Sequence, residues 1–232
     1  MRWLTQFLKS SIGSKWLMAF TGMGWVVYLI LHCVGNLQIF LGRDAINGYA
    51  ATLRTLPAVL WGVRSLLILG IVLHVGYALK LTVANRAARP VGYAKKQHLR
   101  ATLAGRTMII TGLIVFFFLA YHIAHYTLLI TNPSYQNLHD GLGRHDVYSM
   151  VVIGFNHYWI SALYIIAVGL ICFHLSHGFA SFFQSLGLRH PKYTPFLKGL
   201  GVVLSLALFV GFVSVPVAVM ANWVGPAVVG GN

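Results

Sequence analysis

The sequence predicts an all-α integral membrane protein with five transmembrane helices, and three observations support this fold class. Hydrophobic residues make up 58% of the 232 residues and charged residues only 9%, and the mean hydropathy is +0.75. The apolar residues form five runs of about 20 residues or more, the length that a helix needs to cross the hydrocarbon core. Long uninterrupted apolar runs satisfy their backbone hydrogen bonds in lipid as helices rather than as barrel strands. We therefore expect lipid to be the solvent of this chain.

The five predicted helices follow one another within a single domain, 1–232. They are expected at about 16–40, 61–84, 107–130, 158–183 and 197–221. Proline-containing breaks lie between them, at Leu56-Pro57, Arg89-Pro90, Asn132-Pro133 and His190-Pro191. Each helix therefore crosses the membrane once.

The distribution of charged residues predicts the orientation of the helices. The side of the membrane opposite the N-terminus is expected to carry only four basic residues, Arg43, Arg54, Arg64 and Arg144. It is also expected to carry every acidic residue of the chain, Asp44, Asp140 and Asp146. The other basic residues lie in the N-terminal segment and in the second-to-third and fourth-to-fifth connections. By the positive-inside rule, we expect a multi-pass protein of the cytoplasmic (inner) membrane, with its N-terminus in the cytoplasm and its C-terminus outside. The net charge of +14 thus reflects topology, and nucleic-acid binding is not expected.

One histidine lies deep inside each of the first four predicted helices: His32, His74, His122 and His174. An ionisable residue inside the membrane indicates function, because its burial must be offset by a partner. Each lies roughly fifteen residues into its helix, so at 1.5 Å per residue each has crossed about two-thirds of the bilayer. Because successive helices run in opposite directions, His32 and His122 are expected near the outer face and His74 and His174 near the cytoplasmic face. Two pairs of imidazoles at two depths predict two stacked bis-histidine b-type haems.

Spacing alone leaves the ligand choice open at two positions. His125 lies one turn after His122, and His177 one turn after His174, so each could replace its neighbour. Two axial histidines leave no open position on the iron, which predicts electron transfer. Glycines near the ligands could let a flat macrocycle approach the backbone, although helix packing better explains any single one. These are Gly35, Gly70, Gly76, Gly169 and Gly178.

Several motifs together resemble a known family. They are Ser11-Ile-Gly-Ser-Lys15, Met18-Ala-Phe-Thr-Gly22, His32-Cys-Val-Gly-Asn-Leu37, the stretch from Gly112 to His122, and Phe173-His-Leu-Ser-His-Gly178. Over essentially the whole chain, the sequence resembles the membrane cytochrome b subunit of succinate dehydrogenase or fumarate reductase (complex II), of the single-chain, five-helix, two-haem type. The resemblance implies that His32, His74, His122 and His174 are the axial ligands, and it favours His122 over His125.

The resemblance also implies partners and a role in electron transport. The chain would anchor a flavoprotein subunit that oxidises succinate, a reaction of the tricarboxylic acid cycle, and an iron–sulfur subunit, both on the cytoplasmic face. It would be their non-catalytic electron-transfer subunit and would pass electrons to a membrane quinone, menaquinone by its subtype. The sequence agrees with this division of roles among three subunits, because it has no GxGxxG fingerprint for a dinucleotide and no cysteine cluster for iron–sulfur centres. Interaction with anionic membrane lipid explains most of the basic cytoplasmic charge.

The quinone site cannot be carried over from the family, because the chain contains no glutamate. We therefore expect no intramembrane carboxylate in the proton chemistry. The remaining candidates are polar residues near the helix ends: Ser14, Lys15, Trp16 and Arg106 on the cytoplasmic side, and Asn36, Gln38, Arg54 and Arg64 on the outer side. Interfacial anchoring is the simpler explanation for any one of them. In the outer connections, His139, His145, Asp140 and Asp146 could assist proton transfer, and Arg43 and Arg64 could pair with haem propionates.

Two other functions remain open at this stage. One is a quinone-linked cytochrome b subunit of another respiratory dehydrogenase or reductase, which also uses intramembrane histidine pairs. The other is a transporter or channel with a histidine-lined path, whose purified protein would be colourless.

Overall fold

The computed structural model describes residues 2–88 and 102–226, and this part of the chain is helical, with no strand. Its α-helices are α1 Arg2–Lys9, α2 Ser11–Leu37, α3 Arg43–Arg54, α4 Pro57–Ala87, α5 Leu103–Tyr126, α6 Val147–Phe155, α7 Tyr158–Ser185 and α8 Thr194–Met220. Two short 3-10 segments, Gln38–Leu41 and Pro133–Asn137, complete the list. The predicted break at Arg89-Pro90 lies outside the described residues. So do Lys95, Lys96 and Arg100, which belong to the basic second-to-third connection.

Among the described residues, five helices are long and apolar enough to cross a membrane, in agreement with the predicted number of spans. They are α2 with its 3-10 extension (Ser11–Leu41), α4, α5, α7 and α8. Their surfaces carry large apolar side chains, such as Leu66 at 70%, Phe117 at 68% and Val203 at 63% exposure. A water-soluble protein would bury such side chains, whereas lipid solvates them. The chain is therefore an all-helical, multi-pass membrane protein.

The spans extend beyond most of the predicted bounds. Three begin four or five residues earlier than expected, because Ser11, Pro57 and Leu103 are the first residues of their helices and hydropathy marks only the apolar part of a span. Proline suits the first position of a helix, where its missing N–H costs no hydrogen bond. The third span is the exception, since α5 ends at Tyr126 rather than 130. Leu129 has a φ of 55°, a left-handed conformation that does not continue an α-helix.

The structure contains three short helices that were not predicted, namely α1, α3 and α6. They are too short to give a membrane-length apolar run, and α1 and α3 carry charged residues. The start of α6 has a local cause, because the Asp146 carboxylate accepts a hydrogen bond from the Ser149 N–H and caps the helix.

The chain forms two compact units. The first unit comprises the described residues within 1–28, 64–113 and 171–205. Its α1–α2 corner is close-packed, since a Cβ at Gly13 would lie 2.0 Å from the Phe7 carbonyl oxygen. The Lys80 ammonium also donates to the Lys9 carbonyl (3.0 Å) and to the Ser14 hydroxyl (2.9 Å), so α4 holds the end of α1 in place.

The second unit comprises the described residues within 29–63, 114–170 and 206–232. Its apolar core contains residues of the 3-10 segment after α2 and of α3, α6, α7 and α8, including Ile39, Ile46, Val152, Ile160 and Val215. Because α3 and α6 pack in this core, these two short helices are integral to the unit.

Candidate functional site

In the second unit, α2 and α5 bring His32 and His122 together. Their ring centroids are 5.8 Å apart and their planes meet at 82°. Phe212 of α8 packs beside His32, and Tyr164 of α7 packs beside His122. Both histidines are half-buried, so their rings are enclosed by aromatic neighbours and still present some accessible surface.

In the first unit, α4 and α7 bring His74 and His174 together. Their ring centroids are 6.4 Å apart and their planes meet at 64°. Both rings are again half-buried. The two histidine pairs expected from the sequence are thus the pairs that contact each other in the structure.

The separation within each pair fits a bis-imidazole iron. An iron bound to two imidazole nitrogens at about 2 Å each separates the two ring centres by roughly 6 Å. The observed separations of 5.8 and 6.4 Å lie on either side of this value. The residues therefore fit a haem, whose macrocycle supplies the other iron ligands so that the protein provides only two.

The hydrogen bonds of His74 determine which of its nitrogens is available. Its Nδ1 lies 2.9 Å from the Met18 carbonyl oxygen, and Thr21 Oγ1 is a second neighbour at 3.4 Å. A carbonyl oxygen only accepts hydrogen bonds, so Nδ1 carries the proton and Nε2 keeps its lone pair. A histidine in this tautomer can bind iron through Nε2.

The neighbours of His174 and His32 are compatible with the same tautomer for different reasons. The Nδ1 of His174 lies 3.1 Å from Thr111 Oγ1, which can accept its proton while the Thr111 hydrogen is directed to a carbonyl of α5. At His32, the Asn36 amide donates to the His32 carbonyl at 2.7 Å and lies 3.3 Å from Nε2. Because the amide nitrogen is a donor, Nε2 of His32 is the unprotonated nitrogen, and the Asn36 amide would have to release its lone pair before a metal could bind there. Asn36, considered above for quinone, thus lies beside a candidate haem ligand.

The two alternative ligands have other surroundings. His125 is fully buried, its Nδ1 is 3.0 Å from the Tyr164 hydroxyl, and its ring stacks on Tyr126 at 4.0 Å. The ring of His177 packs over Gly105, and its Nδ1 lies 3.4 Å from Thr102 Oγ1. The rings that face a histidine on another helix are those of His122 and His174.

Two glycines outside the predicted set make room for the histidines of the first unit. A Cβ at Gly22 would lie 2.9 Å from His74 Cε1, and one at Gly112 would lie 3.2 Å from His174 Cε1. Either substitution would push the ring, so these glycines permit its position. The sequence did contain a signal, because the dipeptide Thr-Gly occurs twice with a histidine eleven residues after the threonine. The pairs are Thr21 with His32 and Thr111 with His122, although the histidines that the two glycines contact lie on other helices.

The five glycines proposed from the sequence divide into two groups. Aromatic rings already occupy the space beside three of them, with nearest approaches of 2.9 Å at Gly35, 3.4 Å at Gly70 and 3.6 Å at Gly169. These three serve ordinary packing. Open space remains beside Gly76 and Gly178, where a flat group could approach the helix.

The quinone candidates differ in burial and in hydrogen bonding. Ser14 is buried, and its hydroxyl accepts from Lys80 and donates to the Ser10 carbonyl. Exposed positions are held by Lys15, Trp16, Arg54 and Arg106, and partly exposed ones by Gln38 and Arg64. Their part in quinone binding stays a prediction. Arg43, considered for a haem propionate, donates to the carboxylate of Asp146 and to the hydroxyl of Ser149, and its part in haem binding stays a prediction.

The acidic residues considered for proton transfer are held in ionised form. Burial acts to raise the pKa of Asp140, but hydrogen bonds from Arg144, Asn47 and the Leu142 N–H outweigh it and lower the pKa to about 2. The pKa of Asp146 is also lowered, because hydrogen bonds from Asn47 and Ser149 and the charge of Arg43 outweigh its burial. A carboxylate with so low a pKa does not exchange protons near neutral pH. The Asp140 and Asp146 part of the proton prediction is therefore not supported.

His145 is the remaining proton-transfer candidate with a shifted pKa. Burial and the charges of Arg54 and His139 lower its pKa, against opposing effects of Asp146 and the Leu138 carbonyl. It is therefore neutral near pH 7. Its ring lies 6.5 Å from that of His139.

No family model, curated protein or solved structure matches this chain. Within residues 2–88 and 102–226, no cluster of three or more His, Cys, Asp or Glu side chains could hold a metal ion by itself.

Proposed function

We propose that the chain is a di-haem b cytochrome that anchors a succinate dehydrogenase or fumarate reductase to the membrane. It carries electrons between the iron–sulfur subunit of that complex and membrane quinone. The observation that supports this proposal best is the geometry of the two histidine pairs, whose ring centroids are 5.8 and 6.4 Å apart on apolar membrane-spanning helices.

The ligands of this proposal are His32 with His122 and His74 with His174. Haem, when bound, supplies one-electron transfer at iron. The protein holds the imidazoles in the tautomer that leaves Nε2 for the metal, through Met18 and Thr111. Beside His32 and His122 lie the aromatic side chains of Phe212 and Tyr164, which would limit the access of water to that pair. Because two histidines would hold each haem, neither substrate nor oxygen would find a free position on it, and the chemistry supplied would be electron transfer.

The choice of complex rests on the motifs of α2, α5 and α7 that resemble the complex II cytochrome. The chain would lie in the cytoplasmic membrane with its N-terminus inside, because the basic residues of α1, the end of α4 and the α7–α8 connection lie on one side. A flavoprotein and an iron–sulfur subunit would bind at that face, and the quinone would be menaquinone. The alternative is a cytochrome b subunit of another respiratory dehydrogenase or reductase, whose histidine pairs would serve equally well.

The decisive test is the haem content of the purified chain. A reduced-minus-oxidised spectrum of b type and a pyridine haemochrome assay giving two haems per chain are expected. Replacing His32 or His122 by Ala is expected to remove one haem, and replacing His74 or His174 the other. A colourless protein would refute the proposal in favour of a transporter or channel. One haem per chain would refute the two-pair assignment.

A further inference from the structure

The environment of His174 contains a residue whose role goes beyond packing. Thr111 lies on α5, is buried at 5% exposure, and places its Oγ1 3.1 Å from His174 Nδ1. The two residues are 63 positions apart along the chain. A buried polar contact inside a membrane-spanning segment indicates a specific role, since an apolar residue would pack there at a lower free-energy cost of burial.

The direction of this hydrogen bond follows from the other contacts of Thr111. Its hydroxyl lies 3.1 Å from the Thr107 carbonyl and 3.2 Å from the Met108 carbonyl of the same helix. A hydroxyl has one hydrogen, which these carbonyls can accept, and a His174 that binds iron through Nε2 carries its own proton on Nδ1. The lone pairs of Oγ1 are then left for His174, whose Nδ1–H donates.

We propose that Thr111 is a positioning residue that sets the tautomer of His174 and the redox potential of the haem held by His74 and His174. The proposal rests on the haem function above. An acceptor on the Nδ1–H of a ligating histidine fixes the ring and makes the imidazole a stronger electron donor to the metal. Stronger donation stabilises ferric over ferrous iron, which lowers the reduction potential.

The neighbouring glycine supports a positioning role. A Cβ at Gly112 would lie 3.2 Å from His174 Cε1, so the ring fits closely against this part of α5. Thr111 and Gly112 are consecutive, and together they fix both the position of the ring and the direction of its Nδ1–H. The same dipeptide, Thr21-Gly22, lies beside His74 in the first unit.

Thr21, the equivalent threonine beside His74, provides a matched control because its hydroxyl is not the main acceptor of the histidine Nδ1–H. His74 Nδ1 already has a backbone acceptor in the Met18 carbonyl at 2.9 Å, and Thr21 Oγ1 is more distant at 3.4 Å. Removing the Thr21 hydroxyl leaves the Nδ1–H satisfied. Removing the Thr111 hydroxyl takes away the acceptor of His174.

The experiment is a potentiometric titration of both haems in the full chain, wild type and with Thr111→Val, Thr111→Ser or Thr21→Val. Thr111→Val keeps the shape of the side chain and is expected to raise the potential of one haem. The expected change is on the order of tenfold in the ferric/ferrous equilibrium, which for one electron is about 59 mV. Thr111→Ser is expected to restore the wild-type potential, and Thr21→Val to leave it near wild type. The haem held by His32 and His122 is the internal reference and is expected not to move.

Three results would overturn the proposal: no change in Thr111→Val, no recovery in Thr111→Ser, or an equal shift of both haems. The last would indicate a general structural effect. Failure of the proposed haem function would be distinguished by the wild-type protein, which would then lack a b-type spectrum. The ferric electron paramagnetic resonance signal provides an independent readout, since a change of His174 orientation alters the signal of its own haem.

Discussion

His122 and His125 lie one helical turn apart on α5, yet the structure gives them different surroundings. His122 faces His32 across 5.8 Å. His125 is fully buried, hydrogen-bonded to the Tyr164 hydroxyl and stacked on Tyr126. Within the described part of the chain, its Nε2 has no hydrogen-bonding partner. We infer that His122 is the ligand and that His125 organises the aromatic cluster around it.

Substitution of these two residues separates ligation from packing. His122→Ala is expected to lower the haem content from two per chain to one. His125→Ala is expected to keep both haems but to lower the free energy of unfolding by about 1–3 kcal/mol, because it leaves the Tyr164 hydroxyl without its partner. Pyridine haemochrome assays and thermal unfolding in detergent measure the two effects. If His125→Ala lost a haem while His122→Ala kept both, the ligand assignment would be reversed.

At the scale of elements, the attachment of α3 depends on a network of polar side chains. Asn47 of α3 is fully buried and donates to Asp140 at 3.1 Å and to Asp146 at 3.0 Å. Its Oδ1 accepts the Tyr148 N–H at 3.0 Å. Arg43, also on α3, pairs with the buried Asp146 carboxylate. Arg144 pairs with both Asp140 and Asp44. The three acidic residues of the chain therefore belong to one network that ties α3 to the segment before α6.

Two acidic residues of this network differ in burial and therefore in their effect on stability. The Asp146 side chain is 2% exposed and the Asp44 side chain 88% exposed. Asp146→Ala removes the helix cap and takes one buried acceptor from Arg43 and one from Asn47, so we expect a loss of roughly 2–3 kcal/mol in unfolding free energy. Asp44→Ala breaks an exposed ion pair with Arg144, and we expect little change. Equal melting temperatures for the two variants would contradict this account.

The lowered pKa of Asp140 makes the same network sensitive to acid. Its pKa in the folded state is about 2, below the ordinary aspartate value of 3.8. The ionised form therefore stabilises the folded state above about pH 4, and this contribution is lost as the pH falls from about 4 towards 2. Hydrogen exchange of the α3 amides is expected to increase over this range in the wild type. The increase is expected to be smaller in Asp140→Asn, which has no such charge to lose; an identical acid response would exclude Asp140 as its source.

For the whole molecule, the described residues offer no soluble catalytic domain. Five membrane-spanning helices and short helical connections make up residues 2–88 and 102–226. The proposed electron-transfer role therefore requires partner subunits at a membrane face. The basic residues near the ends of α1, α4 and α8 on the side predicted to be cytoplasmic are where such partners would bind.

We expect the chain to co-purify with a flavoprotein and an iron–sulfur protein after mild solubilisation. The complex is expected to reduce a quinone with electrons from succinate, and both b-type haems are expected to be reduced by succinate. Subunit identification by mass spectrometry and a spectrum recorded after succinate addition measure these outcomes. Co-purification with a hydrogenase, formate dehydrogenase or nitrate reductase subunit would support the alternative function, and isolation as a stable lone cytochrome would contradict both.

The sequence by itself determined the number of membrane spans and the candidate ligands. Membrane-length helices are read from local hydropathy, because lipid solvates apolar side chains wherever they lie on a helix. His32, His74, His122 and His174 were identifiable because an ionisable group is rare in an apolar run. The same local reading missed α1, α3 and α6, whose short sequences lack a membrane-length apolar run.

Only the tertiary structure decided how these residues meet. Arg43 and Asp146 are 103 positions apart, and Thr111 and His174 are 63 apart, so no local pattern relates them. The burial of His125, the acceptors of the histidine Nδ1 atoms and the occupied space beside Gly35, Gly70 and Gly169 likewise depend on neighbours from other helices. Hydropathy reports the solvent of a helix, whereas helix packing determines which side chains share a hydrogen bond.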